Sequence, residues 1–251
     1  IDAKCNSITV DDTVRTLTVS SPAGRKQIRN FINVGTGTLT NTSTNDGSPY
    51  ANYYDGCKNQ FLILASDLIA AGVGTGPLNS LAFNVANVNG CHALDNFTVS
   101  LKLTTSTSLS TTWETGLTTV HTSASHQPVL GWNTHQFSSA FVWDGVSNII
   151  VETCFNNTTY STNASVYQTN TSTTSTHVFR QDNNNNLCSS TNTSGTSARR
   201  PNMRFDCALP TNMAYVSSET FHSDTTGVLQ GGVSQEVIGI KIVTAGNATP
   251  L

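Results

Sequence analysis

Charged residues are scarce in this chain. Of its 251 residues, only 11% are Asp, Glu, Lys or Arg, against roughly 25% in an ordinary soluble domain. The net charge is only −3, so the composition gives no basic surface that could neutralise nucleic-acid phosphates. We therefore expect no nucleic-acid partner, and so low a charge content also argues against a typical cytosolic enzyme.

The sequence also lacks the motifs of common catalytic sites. It has no G-x-S-x-G elbow, no H-E-x-x-H motif, no P-loop and no G-x-G-x-x-G before a predicted helix. The acids of its middle part, Glu114, Asp144 and Glu152, do not alternate along one strand, as the carboxylate pair of a sandwich glycosidase would. The six histidines are scattered, and no cysteine doublet has zinc-ligand spacing. The sequence therefore predicts a protein without catalytic residues, metal or other cofactor.

Long apolar runs are missing as well. No stretch of 18 apolar residues occurs, so we expect no insertion into a membrane. The chain begins at Ile1 without the apolar core of a signal peptide, and we interpret it as a processed or trimmed product.

Polar uncharged residues and cysteines are plentiful instead. Thr, Ser and Asn make up 93 residues, over a third of the chain, and there are six cysteines. An even cysteine number in such a chain is typical of disulfides in an oxidising, extracellular compartment, with buried free thiols as the alternative. Six cysteines allow 15 pairings, which the sequence alone does not distinguish. We hypothesise the pairs Cys154–Cys188, Cys57–Cys91 and Cys5–Cys207. The first would hold the polar loop at 183–197, and the last would clamp the N-terminal segment to the core.

Short segments of alternating apolar and polar residues predict many strands. The stretch at 96–104 has the pattern of a half-buried antiparallel strand, with one side formed by Phe97, Val99, Leu101 and Leu103. Other segments with strand signals lie at 7–19, 60–65, 80–87, 117–121, 132–137, 140–143, 147–155, 164–169, 175–181, 202–207, 212–222 and 233–244. One helix is predicted at 66–71, with Ser66 as its cap, Asp67 in its first turn and Gly72 at its end.

These elements predict an all-β fold, a two-sheet antiparallel sandwich of jelly-roll type with one short helix and extended terminal strands. We divide the chain into an N-terminal strand segment (1–29), the sandwich (30–207) and a linker with a C-terminal strand segment (208–251).

Aromatic residues offer the only candidate ligand site. Tyr50, Tyr53 and Tyr54 lie in a polar stretch at 21–58, which we predict to be a long surface segment. Aromatic faces flanked by Asn and Asp suit a glycan, because sugar C–H faces stack on the rings while the hydroxyls form hydrogen bonds. Packing of this segment against the sandwich is the alternative.

Two segments, FVWDGVSNIIVETCFNN (141–157) and SGTSARRPNMRF (194–205), resemble a jelly-roll domain common in large secreted proteins of Bacteroidota. Further segments fit the same pattern in the same order: ANYYDGCKNQFLILASDL (51–68), LAFNV (81–85), TWETGLTTV (112–120) and GWNTHQF (131–137). The resemblance covers roughly residues 30–207 and implies a cell-surface adhesin or other cargo of the type IX secretion system. It transfers no catalytic residue.

The tail at 234–251 resembles the opening strand of the β domain that precedes neuraminidase-type repeats. Only that opening is present, so no sialidase activity is implied. In addition, Thr13 and Thr225 resemble the O-glycan acceptor sites of exported Bacteroidota proteins, because each follows an Asp.

Two functions remain after these exclusions. The first is a non-catalytic extracellular structural or adhesive module, a filament or surface-polymer subunit that is joined to its neighbours through terminal strands. The segment at 233–244 would supply such an assembly strand through Val237, Ile238, Ile240, Ile242 and Val243. The second is a carbohydrate-binding module of an exported multidomain hydrolase. Pairing of both termini within their own sandwich is the alternative to self-assembly or pairing with a neighbouring domain.

Overall fold

The computed structural model describes residues 7–11, 16–20, 30–41 and 46–207. Strands β1 (Ser7–Asp11) and β2 (Thr16–Ser20) form an antiparallel hairpin, with Ile8 opposite Val19. The predicted strand signal at 7–19 is therefore two strands that pair with each other. This hairpin belongs to one compact unit, and residues 29–209 form a second one.

The second unit contains thirteen strands and one α-helix within its described residues. These are β3 (Asn30–Val34), β4 (Leu39–Thr40), β5 (Gly56–Ile63), α1 (Ala65–Ala71), β6 (Gly76–Asn87), β7 (Leu94–Thr104), β8 (Thr118–His126), β9 (Gly131–Trp143), β10 (Asn148–Asn156), β11 (Ser165–Asn170), β12 (Thr176–Gln181), β13 (Gly195–Ser197), β14 (Arg199–Pro201) and β15 (Met203–Cys207). Among these described parts, no helix is both long and apolar enough to cross a membrane.

Eight of the strands have the order of a jelly roll. One sheet contains the run β5-β10-β7-β8, and the other contains the run β3-β15-β6-β9. Because β15 and β9 both pair with the stretch from Leu78 to Phe83 of β6, they lie on its two sides. The chain passes from one sheet to the other at each step between these strands, except from β7 to β8, as in two joined Greek keys. The predicted antiparallel jelly-roll sandwich is confirmed.

The remaining strands extend the two sheets. β12 pairs with β5 and β13 pairs with β12, which completes a six-stranded sheet. β11 pairs with the end of β6 and carries β4 and β14, which completes a seven-stranded sheet.

The core lies between the two sheets. It is made of every second residue along the strands, the residues whose side chains face the opposite sheet. Phe97, Val99 and Leu101 of β7 are fully buried, which confirms the predicted inward face of this strand. Opposite them, Phe83 of β6 and Phe205 of β15 are also fully buried. Each such side chain contributes roughly 1.5–3 kcal/mol by its burial, so this interior stabilises the sandwich.

The outer face of the six-stranded sheet is covered as well. All residues of β5 are buried, since the loops at 105–117 and 183–194 lie over its outer side. Gln60 on β5 fixes the first loop by donating to the Glu114 carbonyl at 2.8 Å and accepting from its N–H at 3.0 Å. The Trp113 indole then donates to the Asn192 carbonyl of the second loop at 2.9 Å.

Helix α1 confirms the predicted helix, with one correction at its start. The N-cap residue is Leu64, and the first helical N–H, that of Ala65, donates to Asn148 Oδ1 at 2.7 Å, so the prediction of Ser66 as cap is wrong. Gly72 ends the helix in the left-handed conformation at φ 91°, as predicted. Asp67 lies in the first turn and pairs with Arg200.

Within the predicted surface segment at 21–58, residues 35–41 are exposed or half-buried, but the prediction is wrong for 46–58, which is largely buried. β3 and the start of β5 are paired strands, and Ser48 and Tyr50 are buried beneath the loop before β11. The many Gly and Asn residues near these positions indicated a loop, because such residues form the tight turns between the strands.

Several predictions lie outside the described residues. They concern Cys5, the acceptor sites Thr13 and Thr225, and the strands at 212–222 and 233–244. The assembly strand with Val237, Ile238, Ile240, Ile242 and Val243 belongs to this group.

Candidate functional site

Tyr50, predicted to stack on a glycan, is instead a core residue. It is fully buried, packs edge-on against Phe83 at 6.0 Å and lies 5.7 Å from the ring of Phe97. Its hydroxyl lies 2.7 Å from Nε2 of the buried His135. The prediction for Tyr50 is therefore wrong, because the fold uses this side chain to fill the sandwich and to satisfy a buried histidine.

Tyr53 and Tyr54 lie at the surface and gain a third tyrosine from a distant loop. Tyr53 is 57% exposed and Tyr160 is 64% exposed, with 6.4 Å between their ring centroids. Tyr53 and Tyr54 meet edge to face at 5.6 Å. We call Tyr53, Tyr54 and Tyr160 the tyrosine patch. Sequence reasoning missed Tyr160, because it is a single tyrosine in a polar loop, whereas Tyr53 and Tyr54 form an adjacent pair.

The backbone beneath the tyrosine patch is held by hydrogen bonds between two loops. Asn163 accepts from the Tyr53 N–H at 2.8 Å through its side-chain oxygen. The buried Asn52 donates to the Ser161 hydroxyl at 2.9 Å, and its carbonyl accepts from the Ser161 N–H at 2.7 Å. Because both loops are fixed by these bonds, the exposed rings project from a fixed base.

Polar and cationic groups border the tyrosine patch. The Arg180 guanidinium lies 5.4 Å from the centroid of the Tyr54 ring, within cation–π range. Tyr54, Arg180 and Asn163 also line a recess of about 10 Å³, which has room for a single water. The patch is thus a shallow aromatic surface with hydrogen-bonding groups at its edge.

A separate, larger pocket opens beside helix α1, with a volume of about 370 Å³. The Arg200 side chain at its base is 3% exposed and donates from Nη1 to the Leu62 carbonyl at 3.1 Å and to Asp67 Oδ2 at 3.0 Å. Burial lowers the pKa of Arg200, and the Asp67 carboxylate opposes this shift. No pattern in the sequence indicated this pocket, because Arg200 lies in a short strand far along the chain from Asp67.

The three acids considered as catalytic candidates all have polar partners. Glu152 lies 3.7 Å from the Lys58 ammonium; its burial raises its pKa, and Lys58 partly offsets that shift. Glu114 lies 2.8 Å from Lys102, and this hydrogen bond lowers its pKa. Asp144 accepts from Ser147 within its own turn, so it too is occupied. This arrangement is that of structural ion pairs and turns.

Three of the histidines cluster where β8 meets β9. The ring of His135 lies 4.7 Å from that of His126 and 5.0 Å from that of His121. Burial lowers the pKa of His135 well below its usual value, and it lowers the pKa of His126 to about 4. Within the part of the chain that the structure describes, no group of His, Cys, Asp and Glu is arranged to hold a metal ion.

One of the three hypothesised disulfides forms. Cys154 and Cys188 are bonded, with 5.8 Å between their Cα atoms, and this bridge anchors the second covering loop to β10. The Cys57–Cys91 pairing is wrong, since both are buried free thiols. Cys57 contacts the Asn59 amide, whereas Cys91 contacts the Tyr50 carbonyl. Cys207 is a buried free thiol within the described residues, and its hypothesised partner Cys5 lies outside them, so the Cys5–Cys207 bridge stays a prediction.

No protein-family model matches the chain, and no curated protein is significantly similar to it. Among solved structures, it is similar to the cysteine protease and lectin-like domains of Cwp84, a surface layer associated protein of Clostridium difficile. The identity is 8% and the TM-score is 0.37, over 76% of this chain and 38% of the other. With values this low, the comparison carries no argument for a shared function.

Proposed function

We propose that this protein is a non-catalytic, extracellular module that binds glycans through the tyrosine patch. The observation that carries this proposal is the exposure of Tyr53 and Tyr160 on two hydrogen-bonded loops. Large aromatic side chains are normally buried for their hydrophobic contribution, so neighbouring exposed rings on a fixed base suit a ligand. The flat C–H face of a sugar can cover these rings.

The groups at the edge of the patch suit the hydroxyls of the same ligand. Arg180 and Asn163 lie beside Tyr54 and offer hydrogen-bonding groups within the same surface. Arginine and amide side chains donate to sugar oxygens, while the rings provide apolar contact. The combination favours a glycan over a purely apolar partner.

Three observations support an exported protein that does not catalyse a reaction. A disulfide between Cys154 and Cys188 is typical of oxidising compartments. The acids Glu114, Asp144 and Glu152 are all engaged in ion pairs or turns. The low charge content favours an extracellular setting as well. We infer that the module belongs to a larger surface adhesin or other exported protein, as the sequence resemblance implies.

A glycan array with the purified protein tests the proposal. The best glycan is then titrated against Tyr53→Ala and Tyr160→Ala by calorimetry, with Leu130→Ala as the matched control. Leu130 is 72% exposed on another loop, so its loss removes a similar exposed side chain outside the patch. Each tyrosine variant should bind several-fold to about tenfold more weakly, because one stacking contact is lost.

Two results would contradict the proposal. One is a protein that binds no glycan on the array, and the other is full affinity in both tyrosine variants. Cleavage of the bound glycan during incubation would instead refute the non-catalytic assignment, whatever the affinities. The control variant should bind as the unmodified protein does.

A further inference from the structure

The pocket beside α1 has the features of a second ligand site. The helix, the turn after β3 and the segment at 169–175 enclose it, with Arg200 at its base. Its volume of about 370 Å³ falls in the range of sites that take small molecules, roughly 300–1,000 Å³. It is therefore large enough for a ligand rather than for isolated water.

Arg200 brings unused hydrogen-bond donors into this pocket. Its Nη1 donates twice, to the Leu62 carbonyl and to Asp67, whereas Nε and Nη2 donate to no described residue. A guanidinium carries five N–H donors; the buried Nε lacks an acceptor, which is costly, and Nη2 remains as the donor that a ligand can reach. A ligand oxygen in the pocket would supply the missing acceptor.

The charges of the pocket cancel. Arg200 and Asp67 are the only ionisable side chains among the residues that line it, and they are paired at 3.0 Å. An anionic ligand would meet the Asp67 carboxylate, which is 39% exposed, and a cation would meet the guanidinium. The pocket therefore favours a neutral ligand that both donates and accepts hydrogen bonds.

The remaining walls are divided into a polar side and an apolar side. Hydroxyl and amide side chains form the first: Asn33, Thr36, Thr169, Asn170, Thr171, Ser172, Thr173 and Ser175. Leu62, Leu64, Ala70 and Ala71 form the second. A hydroxylated ring presents hydroxyls at its edge and C–H groups on its faces, so it matches both sides.

We propose that this pocket binds a small, neutral, hydroxyl-rich ligand, either a free monosaccharide or the terminal sugar of a glycan. The Asp67 carboxylate accepts hydrogen bonds from adjacent hydroxyls, and Arg200 donates to a further ligand oxygen. The site is independent of the tyrosine patch, because Tyr54 precedes β5 and Leu64 follows it. An eight-residue strand spans about 26 Å, so the two sites lie towards opposite ends of the sandwich.

The test is an NMR titration of the full chain with a panel of neutral monosaccharides, their methyl glycosides and the acidic sugar glucuronic acid. Ala70→Phe fills the pocket from an exposed helix position, and Ile69→Phe is its matched control at the adjacent, 59% exposed position outside the pocket. Asp67→Asn removes the acceptor charge while keeping the shape of the side chain. Circular dichroism confirms that each variant is folded.

The expected result is that a neutral sugar shifts resonances of the residues that line the pocket. Asp67→Asn should weaken binding about tenfold or more, because one charge-assisted hydrogen bond is lost. Ala70→Phe should weaken binding at least as much, because its ring fills the pocket, whereas Ile69→Phe should leave the affinity unchanged. Equal affinity for a free sugar and its methyl glycoside would assign the terminal sugar of a glycan, and preference for the free sugar would assign a free monosaccharide.

Three results would overturn this inference. They are the absence of binding by any neutral sugar, unchanged affinity in both pocket variants, and tighter binding of glucuronic acid than of the neutral sugars. A double variant, Tyr53→Ala with Tyr160→Ala, should leave this binding intact. Its loss in that variant would overturn the independence of the pocket, whereas failure of the glycan array alone would count only against the tyrosine patch.

Discussion

Mild acid should destabilise the sandwich through its buried histidines. His126 lies between the rings of Tyr50, Phe97 and His135, and its Nε2 is buried without a hydrogen-bond partner. Burial lowers its pKa from 6.5 to about 4, with a smaller contribution from His121. The folded protein therefore keeps His126 neutral at pH values at which the unfolded chain already binds a proton.

The sign and size of the effect follow from proton linkage. Well above pH 6.5 His126 is neutral in both states, so it contributes no pH dependence there. As the pH falls from 6.5 towards 4, the unfolded state binds more protons, and the free energy of unfolding decreases. With these two pKa values, the loss between about pH 7 and pH 5 is about 2 kcal/mol. Burial also lowers the pKa of His135, so this residue should add to the loss, against a total stability of about 5–15 kcal/mol.

Urea denaturation at pH 7 and at pH 5 measures this difference. His126→Gln should lose about 2 kcal/mol less than the unmodified protein over this interval, because the proton-binding site of the unfolded state is removed. His92→Gln is the matched control, since His92 is exposed and its loss removes the same residue type. If His126→Gln and the unmodified protein show the same pH dependence, the reasoning is refuted.

Four further predictions concern the cysteines and the termini. Replacing Cys154 and Cys188 by alanine should lower the free energy of unfolding by up to about 4 kcal/mol, since the bridge closes a loop with a sequence separation of 34. A loss below about 1 kcal/mol in urea denaturation would contradict this chain-entropy argument. The three free thiols should resist alkylation until the protein unfolds, because burial raises the pKa of each; rapid labelling of the native protein, detected by mass spectrometry, would count against it. Deletion of residues 233–251 should leave the sandwich folded but abolish self-association in light scattering, and an unchanged assembly would exclude a role for this strand. The intact mass of protein from its native source should exceed that of the bare polypeptide through O-glycans on Thr13 and Thr225, and an exact match would remove that prediction.

The strands were predictable where one face is buried and the other is polar. β7 shows this alternation, and its inward residues Phe97, Val99 and Leu101 are those that the sequence indicated. β5 and β10 are covered on both faces, and no periodicity revealed the loops that cover them. The contact between Gln60 and Glu114, for example, joins positions 54 residues apart that have no local pattern in common.

The candidate sites were harder to predict, because they are made by segments that are distant in sequence. Tyr50 and Tyr53 were predicted to share one glycan site because they lie in the same polar stretch. The chain turns between them, so Tyr50 is buried and Tyr53 is exposed. Tyr160 joins the patch across more than a hundred residues, and Arg200 reaches Asp67 across 133. The Cys57–Cys91 pairing was wrong for the same reason, since spacing along the chain carries no information on the distance between two cysteine sulfurs.

The position of β15 has a consequence for when this protein can fold during its synthesis. β15 (Met203–Cys207) lies between β3 and β6, so the earliest strand of the sandwich has no partner on that side until the latest one has been made. Pairs such as Phe205 with Ile32 must close loops of well over a hundred residues, which makes folding slow. A nascent chain therefore holds an open, incomplete sheet until its ribosome has passed Cys207. Until then the edges of β3 and β6 that β15 covers are unpaired, and unpaired strand edges favour aggregation.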